Sequence, residues 1–364
     1  MEEITLTRLT AVRQKLPEWE IEGLLITNPA NRRWLSGFTG SNAQLLITAD
    51  KAILATDFRY YERVQIEAPH FELFKHERSR QQDRAFLTST AVKRIGIEAS
   101  HVTLEQAAHW RSLRTGIKWV HLPQTIEPLR AIKSKAEIQI MRRAAVITDQ
   151  VMSQFAGIAR PGISEKALAW TLEQMLHDAG ADGPAFPIIV ASGPNSALPH
   201  HTVSGRTLQK DDLVIVDMGA SLQGYHSDQT RTFYMGSKPD DQFWEIYNLV
   251  LQAQKNVLAN IKPGMTVQEA DALARDIIEA ADHGEHFGHG LGHGVGLEIH
   301  ENPLLSKRAP AEAKLQTGMT TTIEPGIYIP GWGGVRIEDL VWLQKDGVRR
   351  LTHCPKSPII LLAR

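Results

Sequence analysis

The chain has 364 residues, of which 42% are hydrophobic and 22% charged, with a formal net charge of −1. That length is enough for two domains with cores of their own, and the composition is that of an ordinary globular protein. The balanced charge builds no strong positive field, which excludes the electrostatics that nucleic acid or an anionic membrane surface would need.

The first fourteen residues open on two glutamates and lack an apolar run, so a secretory signal is not expected. No stretch approaches the ~18 apolar residues of a membrane span. Cys354 is the single cysteine. No intrachain disulfide can form, and a reducing, cytoplasmic setting is expected. Segments 22–27, 43–48, 51–56 and 94–98 are short, aliphatic and bounded by turn residues, which predicts strands. Segments 5–15, 58–67, 80–92 and 103–114 predict helices, and the alternation predicts an α/β domain with a mixed sheet. Pro123 and Pro128 mark a break, after which a long helix starts near Ser134 with the apolar stripe Ile138, Met141, Ala145, Val151, Met152 and Phe155. The predicted domains are therefore 1–129 and 130–364.

The second domain carries an internal echo. Pro161-Gly162 and Pro263-Gly264, 102 residues apart, each follow one predicted helix and precede another. Pro-Gly stops the first helix, while Ser164 or Thr266 can cap the next, Thr266 with Glu269 as a capping box. Farther on, residues 214–219 (VIVDMG) match 321–326 (TTIEPG), which aligns Asp217 with Glu324 at a distance of 107 residues. Two echoes in one order predict a duplicated half-domain.

The acids lie close to these echoes. Residues 214–217 and 225–228 flank a polar turn at 221–224. A simple hairpin there would set Asp217 directly opposite Asp228, with Cβ atoms about 5 Å apart. Glu324 and Glu338 have their midpoint at Gly331, inside the turn 330–334 (PGWGG). Two hairpins would thus present two acids each. Single acids near turns are most often solvated surface groups, but Asp217 and Glu324 end apolar runs, where an unpaired carboxylate is costly and a cation is the simplest remedy. Five of fifteen histidines fall between 283 and 300, and glycines at 288, 290, 292, 294 and 296 alternate with His289, Leu291, His293 and Val295. The period of two predicts extended chain with one bare face. It excludes a helical HExxH site, and no phosphate-binding glycine loop or GxSxG elbow is present. His121 and His177 are expected to be ordinary, and Cys354 has no partner for nucleophilic work. Four carboxylates with one imidazole and no thiolate suit a pair of divalent metals.

Together these signatures resemble the pita-bread metallopeptidases: Xaa-Pro aminopeptidase, Xaa-Pro dipeptidase (prolidase) and, more distantly, methionine aminopeptidase. The resemblance extends to residues 31–41 (NRRWLSGFTGS), 56–60 (TDFRY) and 130–134 (RAIKS). It implies an α+β protein with an N-terminal α/β creatinase-like domain, built on a mixed sheet. The C-terminal domain would be a pseudo-two-fold pita-bread fold, with a curved antiparallel sheet covered by helices. The family's metal positions map onto Asp217, Asp228, His293, Glu324 and Glu338. Two divalent metal ions are implied, Mn2+ first, with Co2+ or Zn2+ as alternatives. Glu324 would also carry a proton, and His300 and His289 would donate to the substrate carbonyl. His200 would hold the proline side, although the family often has Gly where this chain has His201, and Arg336 matches an arginine near the site. A homodimer or dimer of dimers is implied. The Gly37–Ser41 segment favours an aminopeptidase cleaving the Xaa-Pro bond at the N-terminus of peptides over a dipeptidase. A non-catalytic binding module is the reading from another class, against which the complete ligand set speaks.

Overall fold

Six short runs of residues form the sheet of the first compact unit, Met1–Arg130. These are β1 (Gly23–Ile26), β2 (Gln44–Thr48), β3 (Ala52–Thr56), β4 (Glu72–Lys75), β5 (Arg94–Glu98) and β6 (Lys118–Leu122), in the order β4-β3-β2-β1-β5-β6. The sheet is mixed: β1–β2 and β2–β3 are antiparallel, the other pairs parallel. The computed structural model describes residues 2–77, 79–113 and 115–360. Met1, Arg78, Arg114 and residues 361–364, each inside a predicted helix or domain, lie outside that description. The four predicted strands are the central ones. The two that the pattern missed, β4 and β6, are the sheet edges, where half-exposed positions break the continuous aliphatic run that marks a buried strand. A helix at Pro29–Ser36, capped by the Asn28 side chain, was also unforeseen within the 31–41 signature.

The second unit, Ala131–Arg364, opens with the helix Lys135–Ile158, whose Ser134 and Glu137 form a capping box and whose predicted stripe is buried throughout. Helices Lys135–Ile158 and Glu165–Asp178 in the first half correspond to Asp241–Asn260 and Val267–Ala280 in the second. Gly162 and Gly264 end the linking turns at φ 90° and 92°. Their amides donate to equivalent carbonyls, Gly162 to Leu208 and Gly264 to Leu315. The bridges Ser164–Thr207 and Thr266–Lys314 correspond at the same two offsets as the sequence echoes, 102 and 107 residues. Each helix pair packs on its own apolar cluster, one around Val151, Phe155 and Leu172, the other around Val250, Val257 and Ile278.

The strands of the first half are β7 (Gly183–Pro184), β8 (Ile189–Ser192), β9 (Leu213–Met218), β10 (Ala220–Leu222), β11 (Tyr225–His226) and β12 (Gln229–Met235). Those of the second are β13 (Gly292–Gly294), β14 (Glu301–Leu305), β15 (Thr320–Ile323), β16 (Gly326–Ile329), β17 (Gly333–Arg336), β18 (Asp339–Gln344), β19 (Gly347–Arg350) and β20 (Ile359–Ile360). All their pairings are antiparallel except β12 with β20. The ladders break at Gly219, at Ser227-Asp228, at Glu324-Pro325 and at Ile337-Glu338. Pro325 has no N–H to give a ladder, and such irregularities turn side chains out of the alternating pattern toward a site.

The predicted register of the first hairpin needs correction. Its turn is the two-residue pair Gln223-Gly224, with φ 49° and 72°, the signs a type I′ turn requires. Ser221 therefore faces His226, and Asp217 faces Thr230 rather than Asp228. Moving the turn centre by one residue slides the register by two, so both acids stay on one face but as diagonal neighbours. In the second hairpin Gly326 faces Arg336 and Ile323 faces Asp339, a single register that sets Glu324 across from Glu338. Of the glycine run, Gly292–Gly294 is a strand whose bare face is filled by backbone. A Cβ at Gly292 would come within 2.1 Å of the Thr322 carbonyl oxygen, and one at Gly294 within 2.1 Å of the Asn302 carbonyl oxygen.

Gly219 separates β9 from β10, where a Cβ would lie 1.9 Å from the Ser227 carbonyl oxygen. Gly219→Ala is expected to destabilise the protein by about 1–3 kcal/mol in urea unfolding. Gly157→Ala, in an exposed helical turn with open space around it, is expected to stabilise it by about 0.5–1 kcal/mol. Equal effects of the two changes would contradict this packing.

Candidate metal centre

All nine residues singled out above line one cavity of about 240 Å3: His200, Asp217, Asp228, His289, His293, His300, Glu324, Arg336 and Glu338. Phe186, Ile189, Ile299 and Leu304 give it apolar walls. Asp217 comes from the end of β9 and Asp228 from the break before β12, while Glu324 and Glu338 come from the two breaks of the second half. His293 comes from the glycine strand β13. One oxygen or nitrogen each of Asp228, His293 and Glu338 lie within 4.8 Å of one another. His293 Nε2 lies 3.7 Å from Asp228 Oδ2 and 3.4 Å from Glu324 Oε1.

Hydroxyls and carbonyls orient these groups. Thr230 Oγ1 donates to Glu338 Oε2 at 2.7 Å, and Thr322 Oγ1 to Glu324 Oε1 at 2.9 Å. His293 Nδ1 is 3.1 Å from the Gly294 carbonyl, which can only accept. Its proton therefore sits on Nδ1, and the Nε2 lone pair points at the acids, the arrangement a metal ligand needs. Arg336 Nη2 pairs with Asp217 Oδ2 at 2.7 Å, while its Nε reaches Thr230 Oγ1 at 3.0 Å and its Nη1 the Pro199 carbonyl at 3.1 Å.

The electrostatics are those of crowded like charges. Burial pushes the carboxyls of Asp228 and Glu338 well above the usual carboxylate range, and the neighbouring carboxylates add to the effect. Burial lifts Glu324 to about 7, with Asp217 adding and Arg336 opposing. The buried Oδ1 atoms of Asp217 and Asp228 have no hydrogen-bond partner. Four acids, orphaned buried oxygens and one imidazole lone pair make a donor set that fits divalent cations.

Tyr328 is a site residue that the sequence reading did not identify. Arg336 Nη1 donates to its hydroxyl at 2.9 Å, and that hydroxyl lies 3.0 Å from His289 Nε2. His289 Nδ1 donates to the Gly290 carbonyl at 2.7 Å. Burial, then the charge of Arg336, lower the His289 pKa to about 4, so the ring is neutral near pH 7. Both ring nitrogens are then engaged, and His289 has no proton left for a substrate carbonyl, contrary to the donor role expected for it. The signal for Tyr328 lay in its glycines: a Cβ at Gly326 would be 2.5 Å from the Tyr328 hydroxyl, and one at Gly334 2.8 Å from its ring. His300 stacks edge-on against His293 with ring centroids 4.3 Å apart.

The alternatives at 200 and 201 separate cleanly. His200 lines the cavity, whereas His201 turns to the buried Glu165 carboxylate, with Nε2 2.9 Å from Oε2. Burial would raise the Glu165 pKa, but hydrogen bonds from Ser204, Asn195, Ser192 and His201 outweigh it and bring the value down to about 2.

Comparison with known proteins fits this geometry. Residues 8–132 match the Creatinase/Prolidase N-terminal domain, and residues 139–345 match Metallopeptidase family M24. The chain belongs to metallopeptidase family M24. A Xaa-Pro dipeptidase from Pyrococcus horikoshii is 38% identical to this M24 member over 93% of the chain and 95% of that protein. The structure of a Xaa-Pro dipeptidase from Bacillus anthracis matches with TM-score 0.95 and 38% identity, covering 98% of this chain and 100% of the other. That of an X-Pro aminopeptidase from Thermotoga maritima matches with TM-score 0.87 and 33% identity, covering 96% and 100%. This M24 metallopeptidase has the expected two-part architecture: an N-terminal creatinase-like unit with a mixed sheet and an antiparallel pita-bread unit.

Two outcomes are expected. In metal-free protein Glu338→Gln removes one buried like charge and should raise stability by about 1 kcal/mol or more. Added Mn2+ should then stabilise the unsubstituted protein by about 2.7 kcal/mol at a hundredfold excess over Kd, and the variant far less. Equal metal gains measured by thermal denaturation would exclude Glu338 from the centre. The second concerns pH. The Glu165 pKa falls from 4.5 unfolded to about 2 folded. Its contribution is therefore complete above the unfolded value, and roughly 3 kcal/mol is lost as pH falls through that window. Unfolding curves of Glu165→Gln should show a shallower acid dependence there.

Proposed function

We propose that the protein is a dinuclear-metal hydrolase that cleaves the Xaa-Pro bond of dipeptides, a prolidase-type activity. The observation that carries the reading is the convergence of four carboxylates and one oriented imidazole on a single small cavity. The Gly37–Ser41 segment had favoured an aminopeptidase. Dipeptidases and an aminopeptidase match the chain over nearly its whole length, so the N-terminal unit does not separate the two activities. The Bacillus anthracis dipeptidase, at 38% identity, is more similar than the aminopeptidase, at 33%, and a cavity of about 240 Å3 is below the roughly 300–1,000 Å3 of most ligand pockets. Both considerations favour the dipeptide substrate.

Asp217, Asp228, His293, Glu324 and Glu338 would hold two divalent ions. An oxygen-rich set with one imidazole and no thiolate favours Mn2+, with Co2+ or Zn2+ as alternatives. Bound ions would supply Lewis acidity and a water that ionises near neutral pH. The imide nitrogen before proline carries no hydrogen, so it must gain a proton as the C–N bond breaks. Glu324 is the group that would take the proton from water and deliver it there. His300 would donate to the scissile carbonyl, where negative charge develops. His200 would meet the proline end, with Phe186, Ile189 and Leu304 giving the ring an apolar wall. His289 and Tyr328 would fix Arg336, and Arg336 in turn Asp217. Residues 1–129 would form the creatinase-like domain and 130–364 the catalytic one. No helix among the described residues is long and apolar enough to cross a membrane. We further propose a cytoplasmic homodimer or dimer of dimers.

The test strips metal with a chelator, restores Mn2+ and compares an Xaa-Pro dipeptide with an Xaa-Pro-Yaa tripeptide. Activity should vanish, return with Mn2+ and be confined to the dipeptide. Faster cleavage of the tripeptide would assign an aminopeptidase instead. Glu324→Gln should lower kcat by about 10²–10⁴-fold, and full activity in that variant would remove its assigned role.

A further inference from the structure

Residues 192–204 form the segment whose Pro199 and His200 line the cavity, and one carboxylate gathers both ends of this segment. Glu165, the first residue of the helix Glu165–Asp178, is fully buried. Its Oε1 accepts from the Ser192 amide at 2.8 Å, the Ser192 hydroxyl at 2.7 Å and Asn195 Nδ2 at 2.9 Å. Its Oε2 accepts from the Ser204 amide at 3.0 Å, the Ser204 hydroxyl at 2.6 Å and His201 Nε2 at 2.9 Å. Six donors saturate the group. Five of them come from Ser192, Asn195 and Ser204, at the segment's ends. The sixth, His201, is the one beside His200.

The opposite side of the segment is held from the centre itself. The Gly334 amide donates to Ser196 Oγ at 2.9 Å, and Arg336 reaches the Pro199 carbonyl. Pro199 and His200 lie in a turn between these anchors, with the His201 amide donating to the Leu198 carbonyl at 3.2 Å. Two adjacent imidazoles thus have one buried acceptor between them. The ring that takes it is turned away from the cavity, and its neighbour is left to face inward.

We infer that Glu165 and His201 are positioning residues that aim His200 into the cavity and so set how tightly the proline end of the substrate is held. Neither touches the reacting atoms. His201 acts by occupying Glu165, which keeps His200 from swinging toward that acceptor and fixes the turn that carries it. The inference rests on the assignment of His200 to the substrate.

The test compares His201→Gly with His201→Gln in Mn2+-loaded protein. A Gln amide nitrogen can occupy the place of the imidazole Nε2 and keep one donor on Glu165. His201→Gly is expected to raise KM for an Xaa-Pro dipeptide about tenfold with kcat within threefold, and Gln to recover most of that loss. Crystals of His201→Gly should show the His200 ring displaced from the cavity or turned toward Glu165. KM unchanged in a folded, metal-loaded His201→Gly protein, with His200 still facing the cavity, would overturn the inference. So would a loss of kcat alone. If the unsubstituted protein cleaves no Xaa-Pro peptide, the peptidase assignment fails, while the direction of His200 in the crystals still decides the role of His201.

Discussion

The constraint on which the catalytic unit depends is the burial of four carboxylates in one small space. Asp228 and Glu338 are almost fully buried, while the side chains of Asp217 and Glu324 keep 15% and 16% exposure. Like charges at this separation in a poorly hydrated cavity oppose folding, and the one arginine on Asp217 answers only part of that cost. Everything around the centre limits the damage without removing it. Thr230 and Thr322 each hold one oxygen, Arg336 holds another, and carbonyls set the proton of His289 and of His293. What remains unsatisfied, the Oδ1 atoms of Asp217 and Asp228, is left as buried acceptors that a cation could meet.

The duplicated architecture explains how one chain brings these acids together. Each half supplies two helices, its own apolar cluster and a sheet segment that breaks at the positions of the acids. An unbroken ladder would alternate side chains strictly across the sheet. The breaks at Gly219, Asp228, Glu324-Pro325 and Glu338 free individual acids from that alternation, so the irregular positions carry the chemistry and the regular ones carry the stability. Behind the breaks lies a second buried ionic group: Arg231 pairs with Asp339 at 2.8 Å and also donates to the carbonyls of Thr230 and Glu338. Asp339 is in turn met by Lys356 at 2.7 Å, and although burial opposes it, the charge of Arg231 and then that of Lys356 hold its carboxyl below the usual range. The backbone that presents Glu338 is thereby fixed by a charge network apart from the centre itself.

Much of this was legible in the chain. The long helix and its stripe, the Pro-Gly turns, the echoes between the halves, the four acids and the histidines of the glycine run could be read because each leaves a local pattern: a period, a cap, a turn or a repeated signature. His200, His300 and Arg336 were marked only by the family resemblance. The misses have physical causes as well. The edge strands β4 and β6 lack a second buried face and so lack the aliphatic run. The first hairpin slipped because Gln223, a non-glycine residue, takes a positive φ and shortens the turn. Tyr328 passed for one more apolar strand residue, since its hydroxyl matters only once Arg336 and His289 are beside it.

The sequence alone marked the four acids and His293, the duplication that pairs the acids, and the kind of cation they suit, because ligand chemistry and periodicity belong to residues and spacings. Tertiary structure alone decided orientation. Asp217 meets Thr230 across the ladder, His200 and not His201 enters the cavity, and His289 gives up both ring nitrogens to Gly290 and Tyr328. The two imidazole outcomes turn on which buried partner each ring finds, and those partners come from other segments of the chain: the Glu165 carboxylate accepts from His201, and the Tyr328 hydroxyl donates to His289.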